Sequence, residues 1–276
     1  MKRVWFITGS SSGLGRHLTE AVLQQGDFVV ATARNPGNNQ DLIKKYGHQM
    51  LSLALDVTNQ QQIKQAIKET IERLGRIDVL VNNAGFGITG AAEAFTPEQV
   101  HSQYEANLLG PVELCRAVLP YMRAQRSGRI FNISSIGGRI TSIGLSIYQS
   151  AKFGLSGFSE ALAKEVAPLG IKVTAIEPGG IQTNWAGSSM RFATPVEGYE
   201  STVDTRVNAF KSGSFVPKSD PVKVAQVIID MAAQPEPPMH LVLGSDAVAV
   251  LAHENAGREA EYKQWLSVTL STDADN

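Results

Sequence analysis

Short apolar runs at residues 4–8, 28–33, 50–55, 79–82, 129–134, 172–177 and 240–243 alternate with longer segments of helical character. The helical segments, 14–25, 60–74, 97–126, 148–168 and 221–233, are each long enough to cross over a sheet. Strand and crossover repeated in this order predict an α/β fold, a doubly wound parallel sheet of about seven strands with helices on both faces. At 276 residues the chain is expected to be a single domain, residues 1–276.

Two regions break the rhythm. Residues 180–217 exceed the usual length of a connection and carry Trp185, Met190, Phe192, Tyr199, Phe210 and Phe215. A segment of that kind beyond the strand carboxyl ends, where doubly wound sheets bind ligands, reads as a substrate lid suited to an apolar alcohol or ketone. After the last strand, residues 247–276 form a tail that is mostly helical, with apolar residues at Val248, Leu251, Tyr262 and Leu266.

The chain is 43% hydrophobic and 18% charged, which excludes a disordered polymer, and its formal net charge of -1 provides no basic field for nucleic acid. No run approaches the length of a membrane span, and the apolar stretch near Met1 is too short for a signal peptide, so cytoplasm is the expected location. The single cysteine, Cys115, sits in an apolar stretch and is expected to be buried. His17 and His101 have no spaced partners for a metal, Asp78 reads as a local cap or pair, and Arg123, Arg126 and Arg129 read as a solvated face.

Thr8-Gly-Ser-Ser-Ser-Gly-Leu-Gly15 follows the first strand and opens the first helix. Free backbone N–H groups and the positive helix end meet there, and glycines permit the close approach of a pyrophosphate. The spacing of Gly9, Gly13 and Gly15 differs from the usual dinucleotide fingerprint, and a tight turn with no ligand would also need glycines. The second strand ends at Arg34 and carries no acidic residue for a ribose 2′-hydroxyl. A guanidinium at that place suits a 2′-phosphate, which favours NADP(H) over NAD(H).

Tyr148 and Lys152 lie four residues apart in a helical segment and so share one face. An ammonium beside a phenol favours the phenolate and makes a usable acid or base. A solvated helix face can carry the same spacing.

Together these residues resemble the classical short-chain dehydrogenase/reductases. The match runs through Gly9, Gly13 and Gly15, Asp56-Val57, Asn82-Asn83-Ala84-Gly85, Asn107, Ser134-Ser135, Tyr148 with Lys152, and Pro178-Gly179 with Thr183. The resemblance implies a Rossmann-type fold and an oxidoreductase that interconverts a ketone or aldehyde and an alcohol by hydride transfer. It implies Tyr148 as general acid and base, Ser135 as the group polarising the carbonyl, Lys152 on the nicotinamide ribose and lowering the Tyr148 pKa, and Asn107 holding a water of the proton relay. It implies a cofactor cradle of Gly9, Ser11, Ser12, Gly13, Leu14 and Gly15, with Arg34, Asp56, Val57, Asn83, Ala84 and Gly85 around the adenosine. Tyr148, Lys152, Pro178, Gly179, Ile181 and Thr183 would complete the cofactor site near the nicotinamide. Ser135, Gly137, Ile143, Tyr148, Gly180 and Trp185 would line the substrate site, with no metal. Asp56 also suits a cap for the helix beginning near Thr58, and Asn82 and Asn83 suit loop satisfaction. A long tail in place of the family's usual ending bears on assembly. A homodimer through the helices beginning near Pro97 and Tyr148 is expected, ahead of a tetramer. A cofactor-sensing regulator or an interaction protein on the same fold is the alternative, against which the full set Asn107, Ser135, Tyr148 and Lys152 argues.

Overall fold

Alternation along the strands sorts their side chains into two cores. In β1 (Val4–Thr8), Val4 and Phe6 join one cluster, whereas Trp5 and Ile7 join the other, as the two-residue period of a strand requires. The computed structural model describes residues 2–183 and 189–274. Its main sheet has seven strands in the order β3-β2-β1-β4-β6-β7-β9. These are β2 (Phe28–Ala33), β3 (Met50–Ala54), β4 (Val79–Asn82), β6 (Gly128–Ile133), β7 (Ile171–Pro178) and β9 (His240–Leu243) besides β1. All six pairings are parallel.

Helices cover both faces. On one side α3 (Gln60–Leu74), α5 (Gly110–Gln125) and α6 (Ser146–Val166) contribute Ile63, Ile67, Leu114, Val118 and Leu162. On the other, α1 (Gly13–Gln24), α2 (Gln40–Tyr46) and α8 (Pro221–Ala233) contribute Leu18, Val22, Leu42, Val224 and Ile228. Each buried aliphatic side chain stabilises the fold by roughly 1.5–3 kcal/mol relative to exposure. Cys115 lies fully inside the first core. Helix ends follow their local chemistry: the Asn59 side chain accepts from Gln62 N at the start of α3, and Gly75 ends it with φ +76°, the left-handed conformation that glycine adopts without a Cβ clash.

Several expectations need correction. The segment 97–126 is interrupted: α4 (Pro97–Tyr104) leads into a π-helical turn, Glu105–Leu109, before α5 begins. Residues 180–217 are not bare loop, since β8 (Met190–Phe192) pairs in parallel with β5 (Gly87–Thr89), and α7 (Thr205–Lys211) follows. Asp56 does not cap α3; Asn59 does, and Asp56 Oδ1 instead accepts from Thr58 N at 3.0 Å and Thr58 Oγ1 at 2.8 Å. Arg129 is not on a solvated face, because it is half-buried and donates to Gln234 O at 3.2 Å.

The tail forms α9 (Ser245–Gln264) and α10 (Leu266–Leu270), but its apolar residues do not pack as a stripe. Val248 and Tyr262 are 58% and 57% exposed, and only Leu251 and Leu266 are half-buried. Arg258 ties the middle of the helix down, donating to Arg139 O at 2.8 Å. Deleting residues 260–276 is therefore expected to cost less than about 1 kcal/mol in urea unfolding. Phe131→Ala, in the core beneath β6, should cost about 3–5 kcal/mol, and a tail deletion as costly as Phe131→Ala would show that the tail supports the core.

Candidate active site

The sheet order reverses direction between β1 and β4, and the chain crosses away on opposite sides there, which opens a crevice at the strand carboxyl ends. Into that crevice β1 delivers the glycine turn. Gly9 and Gly13 have φ of +65° and +52°. A Cβ on Gly9 would lie 2.9 Å from Ala84 Cα, and one on Gly15 would collide with Gly9 O and Asn83 Nδ2. The Thr8 hydroxyl accepts from Asn83 N at 2.9 Å and Ala84 N at 3.0 Å, while Asn83 Nδ2 donates to Thr8 O at 2.9 Å and Gly9 O at 3.2 Å. The turn and the end of β4 are thus one unit. Ser12, at the N-cap of α1, makes no side-chain cap bond, so N–H groups at that helix end face the crevice free to meet an anion.

Around this cradle stand the other predicted cofactor residues. Ser11, Leu14 and Gly85 lie in or beside the cradle, and Gly13 comes against Thr183, whose Cβ would be 3.6 Å from a Cβ added at Gly13. Arg34 and Asp56 follow the paired ends of β2 and β3, where Leu55 N donates to Ala33 O at 3.0 Å; Arg34 is exposed and Val57 buried. Ser10 ties that region to the turn, donating to Thr32 O at 3.1 Å and accepting from Asn39 Nδ2 at 3.1 Å. At the end of β7, Pro178 pairs with Leu243, and beyond it Ile181 bridges Ser219. The residues therefore fit a dinucleotide: glycines whose missing Cβ atoms make the room, and the N-terminus of α1 for the phosphates.

Tyr148 and Lys152 lie on α6 and Ser135 follows β6. The Ser135 hydroxyl acts on the Tyr148 phenol in the sense that favours its charged form, and Ser135 Oγ accepts from Gly137 N at 3.0 Å. Lys152 Nζ is 5.9 Å from the Tyr148 ring centroid and donates to Ile133 O at 2.8 Å. Asn107, in the π-helical turn, donates to Phe86 O at 2.9 Å and Gln103 O at 3.1 Å, leaving its buried Oδ1 without a partner. A Cβ at Gly85 would sit 2.6 Å from that oxygen and 3.8 Å from Lys152 Nζ, so the amide oxygen and the ammonium converge beside a residue with no side chain. Ser134 is turned the other way, donating to Lys152 O at 3.1 Å and bonded to Ser156 Oγ at 2.8 Å.

Burial governs both titrating groups. It pushes the Tyr148 phenol up to about 12, against a smaller lowering by Ser135, and pushes Lys152 down to about 7. Desolvation disfavours the charged form of each group, and the Lys152 ammonium is directed at Ile133 O.

Of the residues expected at the substrate, Gly137 and Gly180 stand at the crevice, whereas Ile143 is 56% exposed and Trp185 lies outside the described residues. Sequence reasoning missed Asp246. Its Oδ2 accepts from Gly180 N at 2.9 Å and touches the place a Cβ of Gly179 would fill, which holds the loop after β7. It also missed Glu177, which has no exposed surface and receives Ser156 Oγ at 3.1 Å, Arg139 Nη1 at 3.2 Å and the His240 ring at 2.8 Å. No local sequence signal marks either carboxylate. A cavity of about 260 Å³ lined by Lys2, Arg3, Arg76 and Arg129 lies at the amino ends of the strands, away from this chemistry.

The short chain dehydrogenase family matches residues 3–192. The chain belongs to that family. An oxidoreductase of Botryotinia fuckeliana, BOA17, is 46% identical over 99% of this chain and all of its own length. A short-chain dehydrogenase from Streptomyces avermitilis superposes with a TM-score of 0.94 at 37% identity, covering 99% of this chain and 100% of that one. ElxO, solved with NADP bound, has a TM-score of 0.75 at 25% identity over 90% of this chain and 100% of its own. A Burkholderia phymatum relative in complex with NAD shares the fold at 19% identity, with a TM-score of 0.83 over 94% of this chain and 95% of its own. This short-chain dehydrogenase is an oxidoreductase, no described helix is long and apolar enough to cross a membrane, and no described group of three His, Cys, Asp or Glu side chains could hold a metal.

The position of Lys152 has a stability signature. Its folded pKa is about 7 against 10.5 unfolded, so the unfolded chain binds more protons between those values and stability rises with pH across that window. Between pH 6 and pH 9 the protein should gain about 3 kcal/mol relative to Lys152→Met in urea unfolding without cofactor. Parallel pH profiles for the two proteins would overturn the burial argument.

Proposed function

We propose that this short-chain dehydrogenase is an NADP(H)-dependent enzyme that reduces an apolar ketone or aldehyde to the alcohol, or runs the reverse reaction, with Tyr148 as general acid and base. The observation that carries the reading is the buried pair of Tyr148 and Lys152 on one helix, with Lys152 Nζ 5.9 Å from the Tyr148 ring centroid and Ser135 acting on the phenol. When bound, the reduced nicotinamide supplies the hydride. Hydride arrival builds charge on the carbonyl oxygen, which needs a donor and then a proton at that atom. Ser135 donates to the oxygen and orients it. Tyr148 delivers the phenolic proton, and a phenol held near 12 is protonated at neutral pH, which suits the direction of reduction. Lys152 donates to the nicotinamide ribose, and Asn107 Oδ1 holds a solvent molecule that returns the proton through Lys152.

Arg34 supports the choice of NADP(H), because it is exposed beyond β2 with no carboxylate pair among the described residues. Gly9, Ser11, Ser12, Gly13, Leu14 and Gly15 take the pyrophosphate, Asp56 and Val57 the adenine, Asn83, Ala84 and Gly85 the adenosine ribose, and Pro178, Gly179, Ile181 and Thr183 the nicotinamide. Residues 180–217 serve as the lid of a single domain, and Met190, Phe192 and Phe210 give it an apolar inner surface. A homodimer through α4, α5 and α6 is the accompanying assembly, supported by Leu109 and Tyr121, which are 43% and 36% exposed on that side.

Tyr148→Phe keeps the ring and removes the acid. Its kcat for NADPH-dependent reduction of an apolar ketone panel should fall by about 10²–10⁴-fold, and near-normal turnover would refute the mechanism. Arg34→Ala should raise the KM for NADPH by about ten- to a hundredfold, the worth of one charge-assisted contact, and leave that for NADH within about threefold. An unchanged cofactor preference would defeat the assignment of Arg34.

A further inference from the structure

Arg206, on α7, is a cation without a counter-ion. It is half-buried, its Nε is buried with no hydrogen-bond partner, and it makes no salt bridge among the described residues. The guanidinium instead lies 5.0 Å from the Phe210 ring centroid and 5.9 Å from that of Phe215. Burial pulls its pKa below the ordinary arginine value, so the site disfavours a charge that arginine does not surrender at neutral pH. Two other lid cations, Arg191 over Phe86 and Lys211 over Phe192, stand on aromatic rings as well, but both are exposed to solvent.

The neighbours of Arg206 place it over the crevice. Its Cγ would be 4.0 Å from a Cβ at Gly144, in the loop that joins Ser135 to Tyr148. Phe215 meets the other wall, with its Cζ 2.9 Å from the place a Cβ of Gly180 would take. Arg206 and its two rings therefore span the gap between the loop carrying the proton donors and the loop after β7. Aromatic rings occupy the flat faces of a guanidinium, whereas its N–H donors lie along the edge, matched to the two oxygens of a carboxylate.

We propose that Arg206 binds a carboxylate carried by the substrate, so that the enzyme acts on an apolar oxo acid or the matching hydroxy acid rather than on a neutral carbonyl compound. This rests on the oxidoreductase reading above for the reaction, but not for the binding. The apolar part of the substrate lies along the lid between the reacting carbonyl and Arg206, and the carboxylate supplies the missing counter-charge.

The test uses the full chain saturated with NADPH and two unreactive probes, decanoate and decanol, titrated by calorimetry at low and high salt. Decanoate should bind the wild-type protein at least about tenfold more tightly than decanol, and salt should weaken decanoate alone. Arg206→Met should lose that advantage while binding decanol within about threefold of wild type, and Arg206→Lys should keep part of it. Equal binding of the two probes by the wild-type protein overturns the proposal whether or not the variants fold. So does an equal loss of both probes in Arg206→Met. Turnover is read separately with a medium-chain oxo acid and its methyl ester: kcat/KM for the acid alone should fall in Arg206→Met. Decanoate binding through Arg206 with no turnover of any carbonyl compound would leave the anchor standing and remove the reaction.

Discussion

A short chain of buried hydrogen bonds fixes the distance between the sheet and the helix that carries Tyr148 and Lys152. Asn82 Nδ2 donates to Asn132 Oδ1 at 2.8 Å, Asn132 Nδ2 to Ser159 Oγ at 2.8 Å, and Ser159 Oγ to Leu155 O at 2.6 Å. These bonds run from β4 through β6 into α6, so Tyr148 and Lys152 inherit their height above the sheet from two asparagines at its centre. Each bond contributes only about 1 kcal/mol net, yet leaving one buried partner unsatisfied costs about 1–3 kcal/mol, which makes the register hard to lose. Apolar packing alone would let α6 slide along β6; the amide ladder does not.

Two buried charges near the site are treated in opposite ways. Glu177, inside the protein, has Arg139, Ser156 and His240 around it, and Ser156 passes the connection to Ser134 and the Lys152 carbonyl. A paired carboxylate of this kind fixes the backbone that leads out of Ser135 and is tolerated because its oxygens are filled. Lys152 has only a backbone carbonyl and is held at a pKa of about 7. The protein thus places its ion pairing on the scaffold and leaves Lys152 without a carboxylate among the described residues, a local conflict of the sort that functional sites retain.

Much of the main sheet was legible because the strands are short and mostly apolar, as in Val4–Thr8 and Val79–Asn82, and longer helical segments separate them. The position of the crevice followed from that topology. The π-helical turn around Asn107 was not legible, since its one extra residue shifts the helical phase without any residue type to mark the place. β5 and β8 have three residues each, too few for any period to register. Asp246 and Arg206 act through neighbours more than sixty positions away in the chain, at Gly180 and Gly144, and no spacing rule reaches so far. The apolar residues of the tail suggested a packed face, but period alone cannot say whether a helix has anything to pack on.

The β5–β8 pair closes a long excursion: Ile88 pairs with Arg191 and Thr89 with Phe192. Two three-residue strands cannot offset the entropy of joining ends so distant in an unfolded chain. They pair because the larger sheet has already brought both ends to the same edge of the crevice. The roof over the site is therefore the last part of the molecule that folding can assemble and the first that local unfolding can release, while the cradle beneath it stays intact.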